Sequence, residues 1–383
     1  MEGFLPQESM LPIFEAHTMK RHNFTIYSLF ILIGTVLFTL SSCKKDKKED
    51  GGDSPESYDP AYDGMKIYMF GHTTKEGDAL GSRPAYWYNG KINYLEGAEN
   101  GGVVLSAYLK GTDLYAVGYE GRVGDDVSSR IPIYWLNGKK NVIEQNTFSA
   151  GNQIFVSDAK DVYVKRTWYQ NGKVHSIDIL KNGKFYDLEK KDGKKPIIEK
   201  VTGINNDVYV IQRSSISLVW KNGKIYTERK SPEMISDIGF NQQDTYLFTT
   251  IISNRGTDLP SLLVYKNNKV FQSIKLKSDR EIGSISGVKF FVEGANTYIA
   301  ASFRLDDQGE IVVWKNGKVH QEIKQNKIID DLYVKNDRVF IGAYSPEAGN
   351  HFDTYWMDGK ELPIDGGWNN EISVTKIVVE ATN

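Results

Sequence analysis

One short phrase, an aromatic or apolar residue followed by x-Asn-Gly-Lys, is rewritten along this chain and constrains its fold more than any other feature. Copies stand at Trp87-Tyr88-Asn89-Gly90-Lys91, Trp135-Leu136-Asn137-Gly138-Lys139, Leu180-Lys181-Asn182-Gly183-Lys184, Trp220-Lys221-Asn222-Gly223-Lys224, Tyr265-Lys266-Asn267-Asn268-Lys269, Trp314-Lys315-Asn316-Gly317-Lys318 and Trp356-Met357-Asp358-Gly359-Lys360. The glycine or its equivalent recurs after 48, 45, 40, 45, 49 and 42 residues, a period that belongs to solenoids and radial arrays. A second marker lies upstream of each copy: Lys66-Ile67-Tyr68, Asp113-Leu114-Tyr115, Asp161-Val162-Tyr163, Asp207-Val208-Tyr209, Asp244-Thr245-Tyr246, Asn296-Thr297-Tyr298 and Asp337-Arg338-Val339. Both markers count seven.

The segments between markers are short, rich in Val, Ile, Tyr and Trp, and broken by Gly, Asn and Asp, which is the composition of strands. Asn-Gly between two such runs signals a tight hairpin, because a type I′ turn needs positive φ at both central residues. Each repeat then resolves into four strands, A to D. In the second repeat these are Val103 to Tyr108, Leu114 to Gly118, Ile133 to Leu136 and Lys140 to Glu144. No convincing amphipathic helix interrupts them. Four-stranded units repeated radially make a β-propeller, so the expected fold is all-β, with seven blades over residues 64–383. Bulky neighbours such as Tyr134-Trp135 and Tyr355-Trp356 fit middle strands buried on both faces. Asp113, Asp161, Asp207, Asp244 and Asp337 fall in the A-to-B turns, where the side chain bonds local backbone; the competing reading, metal or catalysis, is the weaker one. The first unit lacks a strand A, and the chain ends with a spare Val- and Ile-rich run from Glu371 to Glu380. That run is expected to complete the first blade.

The N-terminal 42 residues read as an address. Lys20-Arg21-His22 precedes an uncharged run from Phe24 to Leu40, which ends in Leu40-Ser41-Ser42-Cys43. This is the layout of a secretory signal, and its last four residues resemble the bacterial lipobox, which implies cleavage before Cys43 and lipidation of that cysteine. An uncleaved membrane helix is the alternative, although seventeen residues rise only about 26 Å. Glu2, Glu8 and Glu15 do not suit a signal, and translation is expected to start at Met19. Residues 43–63 combine charges with Gly51-Gly52, Ser54-Pro55 and Pro60, the composition of a solvated tether. Cys43 is the chain's single cysteine, so the mature chain holds no disulfide and no thiol catalyst.

From residue 19 onward the lipobox, the charged tether and the repeated Asp-Val-Tyr-Val and Tyr-Trp-x-Asn-Gly-Lys phrases resemble propeller lipoproteins of the Bacteroidota cell envelope. That resemblance implies an envelope location, on the periplasmic or the surface face of the outer membrane, and a propeller. It implies no activity and no site residues. The Lys-Asp-Lys-Lys-Glu-Asp tract after Cys43 also looks like the charged export signals of some surface lipoproteins.

A formal net charge of −2 argues against nucleic acid as a partner. No cofactor is implied. The histidines lack the short spacings of zinc sites, and neither a nucleophile elbow nor a phosphate-cradling loop is present. Asp125-Asp126 and Asp306-Asp307 are the candidate carboxylate pairs for an enzyme acting on an envelope polysaccharide. What varies between repeats is the B-to-C connection, at 72–84, 119–132, 166–176, 212–217, 250–261, 303–310 and 344–353. Loops held by a rigid scaffold concentrate binding residues, and these carry the candidates Arg83, Arg122, Trp168, Tyr169, Arg213, Arg255, Arg304 and His351. Trp168 and Tyr169 are expected to be the best exposed pair. The expected function is a membrane-anchored binding module for a glycan, a peptide or a partner envelope protein.

Overall fold

The computed structural model describes residues 64–381, apart from 76–80, 122–129, 145–147, 192, 194–195, 252–260, 277–283, 306–307, 346–353, 363 and 365–369. Its strands form seven antiparallel sheets of four, each in the order A-B-C-D. In blade two these are Gly102–Lys110, Asp113–Glu120, Ile131–Leu136 and Lys139–Val142, each within two residues of the expected strand. Helical structure among the described residues is limited to one 3-10 turn, Ala98–Asn100. The candidate signal segment and Cys43 lie outside the described residues.

Strands A of blades three to seven are Ser149–Val156, Ile198–Ile204, Glu233–Phe240, Ser284–Glu293 and Ile328–Lys335. Strand A of blade one is the C-terminal Asn370–Ala381, which pairs antiparallel with Met65–Lys75 over its whole length. Each strand A touches the next around the ring, and blade seven's touches blade one's. Strand A is therefore the innermost, and the two ends of the domain close the circle.

The hairpins have the expected backbone. Both central residues carry positive φ in all seven, for example +46° and +83° at Asn89-Gly90 and +51° and +79° at Asp358-Gly359. An eighth copy stands outside the sevenfold count: Asn171-Gly172, at φ +52° and +72°, joins Val162–Gln170 to Lys173–Lys181. The stretch 166–176, read as a loop, is thus an extended B-C hairpin in blade three.

Each seam between blades is filled by its own apolar cluster. A tryptophan on strand C faces the preceding blade in five of them: Trp87, Trp135, Trp220, Trp314 and Trp356. Successive strand-C residues serve opposite seams, since Tyr355 joins the blade-seven/one cluster while Trp356 joins that of blades six and seven. Blades three and five put Leu180 and Tyr265 at the tryptophan position, and their seams with the preceding blades hold smaller clusters.

Every A-B pair also carries a register shift at an equivalent place, one residue being left out of the pairing on strand A: Thr375, Leu105, Asn152, Glu199, Ser236, Ser286 and Asp330. Such bulges bend a strand and re-aim the side chains around them. Seven in register around the axis form a ring.

Candidate functional site

Alternating strand direction sorts the connections onto two ends. The A-B turns and C-D hairpins share one, the hairpin end; the B-C and D-A connections share the other, the loop end.

The two sequence markers meet at the hairpin end. The first hairpin residue accepts, through its side-chain Oδ1, the backbone N–H at the start of strand B in all seven blades: Ile67, Leu114, Val162, Val208, Thr245, Thr297 and Val339, at 2.8 to 3.0 Å. In blades two to five its Nδ2 donates to Asp113, Asp161, Asp207 and Asp244 at 2.6 to 3.0 Å. Asn296 takes the aspartate's place in blade six. Blade seven reverses the polarity: Asp358 stands at the hairpin and accepts Arg338 Nε at 2.8 Å. The position equivalent to Asp113 is therefore Arg338, and the expected assignment of Asp337 was one residue out of register. An A-B turn and a C-D hairpin that would otherwise be neighbours without a bond are tied together, and buried or half-buried backbone donors find partners.

A lysine that the sequence reading passed over completes this unit. Lys181, Lys221 and Lys266, just before the hairpin asparagine, reach the same aspartates at 2.8 to 2.9 Å and lie 5.5 to 5.8 Å from the centroids of Tyr163, Tyr209 and Tyr246, within cation–π range. Lys315 crosses to Asp337 of the next blade at 2.6 Å. Asp161 and Asp244 are held below the usual carboxylate range first by these lysines, then by the asparagine amide. At Asp207 partial burial opposes ionisation, and the bonds from Lys221 and Asn222 outweigh it. Asp337 is lowered by Lys315 and then by the Tyr298 hydroxyl. These turn aspartates are ionised, paired and structural. The recurrence of Lys at the x position, in four of the repeats, was the available signal.

The hairpins also dock on the preceding blade. Glu96 and Glu189 donate backbone N–H to the Gly138 and Gly223 carbonyls at 3.0 and 2.8 Å. Their own carbonyls accept Trp135 and Trp220 Nε1 at 2.9 and 2.8 Å, and their carboxylates accept the Lys140 and Ile225 amides. A Cβ on Gly223 would come within 2.9 Å of the Asp187 carbonyl.

The loop end is built differently. Arg83 opens strand C of blade one, exposed, opposite Thr73. Arg213 is exposed in the short blade-four connection. Trp168 and Tyr169, expected to be exposed, are half-buried. Consecutive on strand B of blade three, they use opposite faces: Trp168 meets His175 edge-on at 4.3 Å, while Tyr169 packs against the cluster of Val103, Tyr119 and Ala150. Beside that cluster, Arg130 lies 4.5 Å from the Tyr119 ring centroid, and its Nε has no hydrogen-bond partner among the described residues. Phe148 and Val174 stay exposed nearby in sequence to these strands. Arg166, within the segment read as a loop, is buried in an ion network with Glu144 and with Asp178 at 3.2 Å. Arg304 pairs by its backbone with Gly309 near the end of strand B in blade six. Arg122, Arg255, His351, Asp125-Asp126 and Asp306-Asp307 lie outside the described residues. Among the described residues no group of three His, Cys, Asp or Glu could hold a metal, and no helix is long and apolar enough to cross a membrane.

No protein-family model matches the chain, and no curated protein matches it in sequence. Solved structures similar to it include the β-propeller domain of the Trilobed protease from Pyrococcus furiosus, at 10% identity and TM-score 0.46, covering 80% of this chain and 94% of that one. The WD40 β-propeller domain of Doa1 is 10% identical at TM-score 0.37, covering 72% and 91%. Prolyl oligopeptidase B from Galerina marginata is 10% identical at TM-score 0.40, covering 82% and 52%.

Proposed function

We propose that this chain is a cell-envelope lipoprotein, held by lipid on Cys43 and a tether over residues 43–63, whose propeller is a binding module that meets its partner at the loop end. One observation carries the reading of the face: the hairpin end spends its repeated polar groups on bonds within and between blades, whereas the loop end carries the connections that differ from blade to blade. The address rests on the Leu40-Ser41-Ser42-Cys43 box and the charged run behind it, and on the likeness of the repeats to Bacteroidota propeller lipoproteins. The partner class is a glycan, a peptide or another envelope protein.

Two measurements test this. Metabolic labelling with a fatty-acid analogue should mark the wild-type chain and not Cys43→Ser; equal labelling of both removes the anchor. Photo-crosslinkers placed beside Arg213 should capture an envelope component in cells, and Arg122→Ala or Arg213→Ala should cut that capture about tenfold, the factor worth 1.4 kcal/mol. Capture that survives both, and disappears in Lys224→Ala, would put recognition on the hairpin end.

A further inference from the structure

The ring of bulges lies toward the loop end of the innermost strands. At it and just after it, three ion pairs join neighbouring blades: Lys200 with Asp237 across blades four and five, Lys376 with Asp331 at 2.5 Å across blades one and seven, and Lys289 with the bulge residue Asp330 at 3.3 Å across blades six and seven. Gln153 and Asp331 also accept the Val201 and Ile377 amides of the following blades, at 3.0 and 2.7 Å. Of these charged side chains only Asp331 is close to fully buried; the rest are half-buried. Because strands A enclose the axis, the solvent they reach is that of the central channel. Glu199 at its bulge is exposed, and Asn152 at another presents a buried Oδ1 with no hydrogen-bond partner among the described residues.

Further along the same strands, toward the hairpin end, the side chains change to large aromatics. Phe291 and Tyr333 lie 4.9 Å apart and Tyr108 and Phe155 5.5 Å apart, centroid to centroid. The Tyr333 hydroxyl donates to the Val379 carbonyl at 3.2 Å, and its ring packs against the cluster between blades one and two. Burial first, then the neighbouring Tyr333, pushes the Tyr108 phenol up to about 12. Aromatic side chains of blades two, three, six and seven thus follow the polar ring toward the hairpin end, packed into the seams between blades.

We propose that the polar ring is the floor of a pit, entered from the loop end, that holds a neutral polyhydroxylated ligand with the chemistry of a sugar unit. With Glu199 and with Lys165, whose ammonium donates to the Glu199 carbonyl at 2.7 Å, four lysines balance four carboxylates, so the ring offers neither the excess cation a phosphate needs nor the converging acids a metal needs. A paired ammonium still has donors to give and a paired carboxylate still has lone pairs, and alternating donors and acceptors on the floor of such a pit match hydroxyl groups. This deepens the reading of the loop end as the recognition face and rests on it.

The test is saturation-transfer NMR on the full-length chain in detergent, with neutral oligosaccharides of glucose, mannose, galactose and xylose as probes. Transfer to at least one probe is expected. Glu199→Trp, which fills the ring at an exposed bulge, and Glu199→Ala, which removes the carboxylate and spares the core, should each weaken it about tenfold, with far-ultraviolet dichroism unchanged. Transfer to no probe, or transfer that both variants leave intact, overturns the pit. If Arg213-dependent crosslinking persists in that case, the loop-end module stands without it; if crosslinking fails while probes still bind in the pit, only the module's outer surface is lost.

Discussion

The two ends of this propeller use repetition in opposite ways. At the hairpin end seven units place an Asn or Asp on one backbone amide, and four of them add a lysine between an aspartate and a tyrosine ring. At the loop end the B-C connections differ from blade to blade, as the 213–215 turn of blade four differs from the extended hairpin through Asn171-Gly172 in blade three. The contrast teaches that the most repeated residues of the chain are there for geometry: the asparagine supplies positive φ and a bond to strand B, the glycine supplies positive φ and fits under the preceding blade. A ligand would have no reason to demand the same positive φ and the same backbone bond seven times.

The largest effect should come from opening the ring that both ends share. Truncation after Gly366 removes strand A of blade one, with Val374, Ile377, Val378 and Val379 all buried. At about 1.5–3 kcal/mol each their loss rivals the whole stability of a domain, roughly 5–15 kcal/mol. Calorimetry should show no cooperative transition; a wild-type melt would break the closure by the C-terminal strand.

Next in size is the seam. Trp220→Ala should cost about 3–5 kcal/mol, because it empties the blade-three/four cluster and orphans the Glu189 carbonyl. Tyr265→Ala, at a seam that never had the tryptophan, should cost clearly less in denaturant titration. Equal losses would mean that the tryptophan position is not what fills the seams.

The hairpin itself follows. Asn222→Gly keeps the positive φ and deletes the bonds to Val208 and Asp207, so the loss should be about 1–2 kcal/mol. Acid provides a milder probe of the same network. The turn aspartates have folded-state pKa values lowered below the unfolded value, so their contribution is present above about pH 4 and is lost as pH falls through the folded values. Asp161→Asn combined with Asp207→Asn should therefore flatten the decline of the melting temperature below pH 4. A decline as steep as wild type would show that these pairs add nothing.

Much of this was legible in the sequence because strand period, hairpin chemistry and blade count all wrote to the same seven positions. The strands of blade two and the role of the run from Glu371 to Glu380 follow from pattern alone. Other features left no such trace. The bulges are changes of backbone register, so Thr375, Leu105 and Glu199 share a place and no residue type. The eighth Asn-Gly sits out of phase with the repeat, and so the blade-three hairpin looked like loop. Arg338 replaces an aspartate by exchanging charges with Asp358, which a search for aspartate cannot find. Trp168 and Tyr169 were singled out for their position after strand B, but the strand continues through them and half-buries both.

The division of labour between the ends is tested most directly by two variants measured in two ways. Asn222→Gly should lower the denaturation midpoint while crosslinker capture at the loop end stays at the wild-type level. Arg213→Ala should leave the midpoint unchanged to within about 0.5 kcal/mol, as exposed substitutions do, and cut capture about tenfold. The reverse pattern, with capture lost in Asn222→Gly at full occupancy of the folded state and retained in Arg213→Ala, would contradict the account.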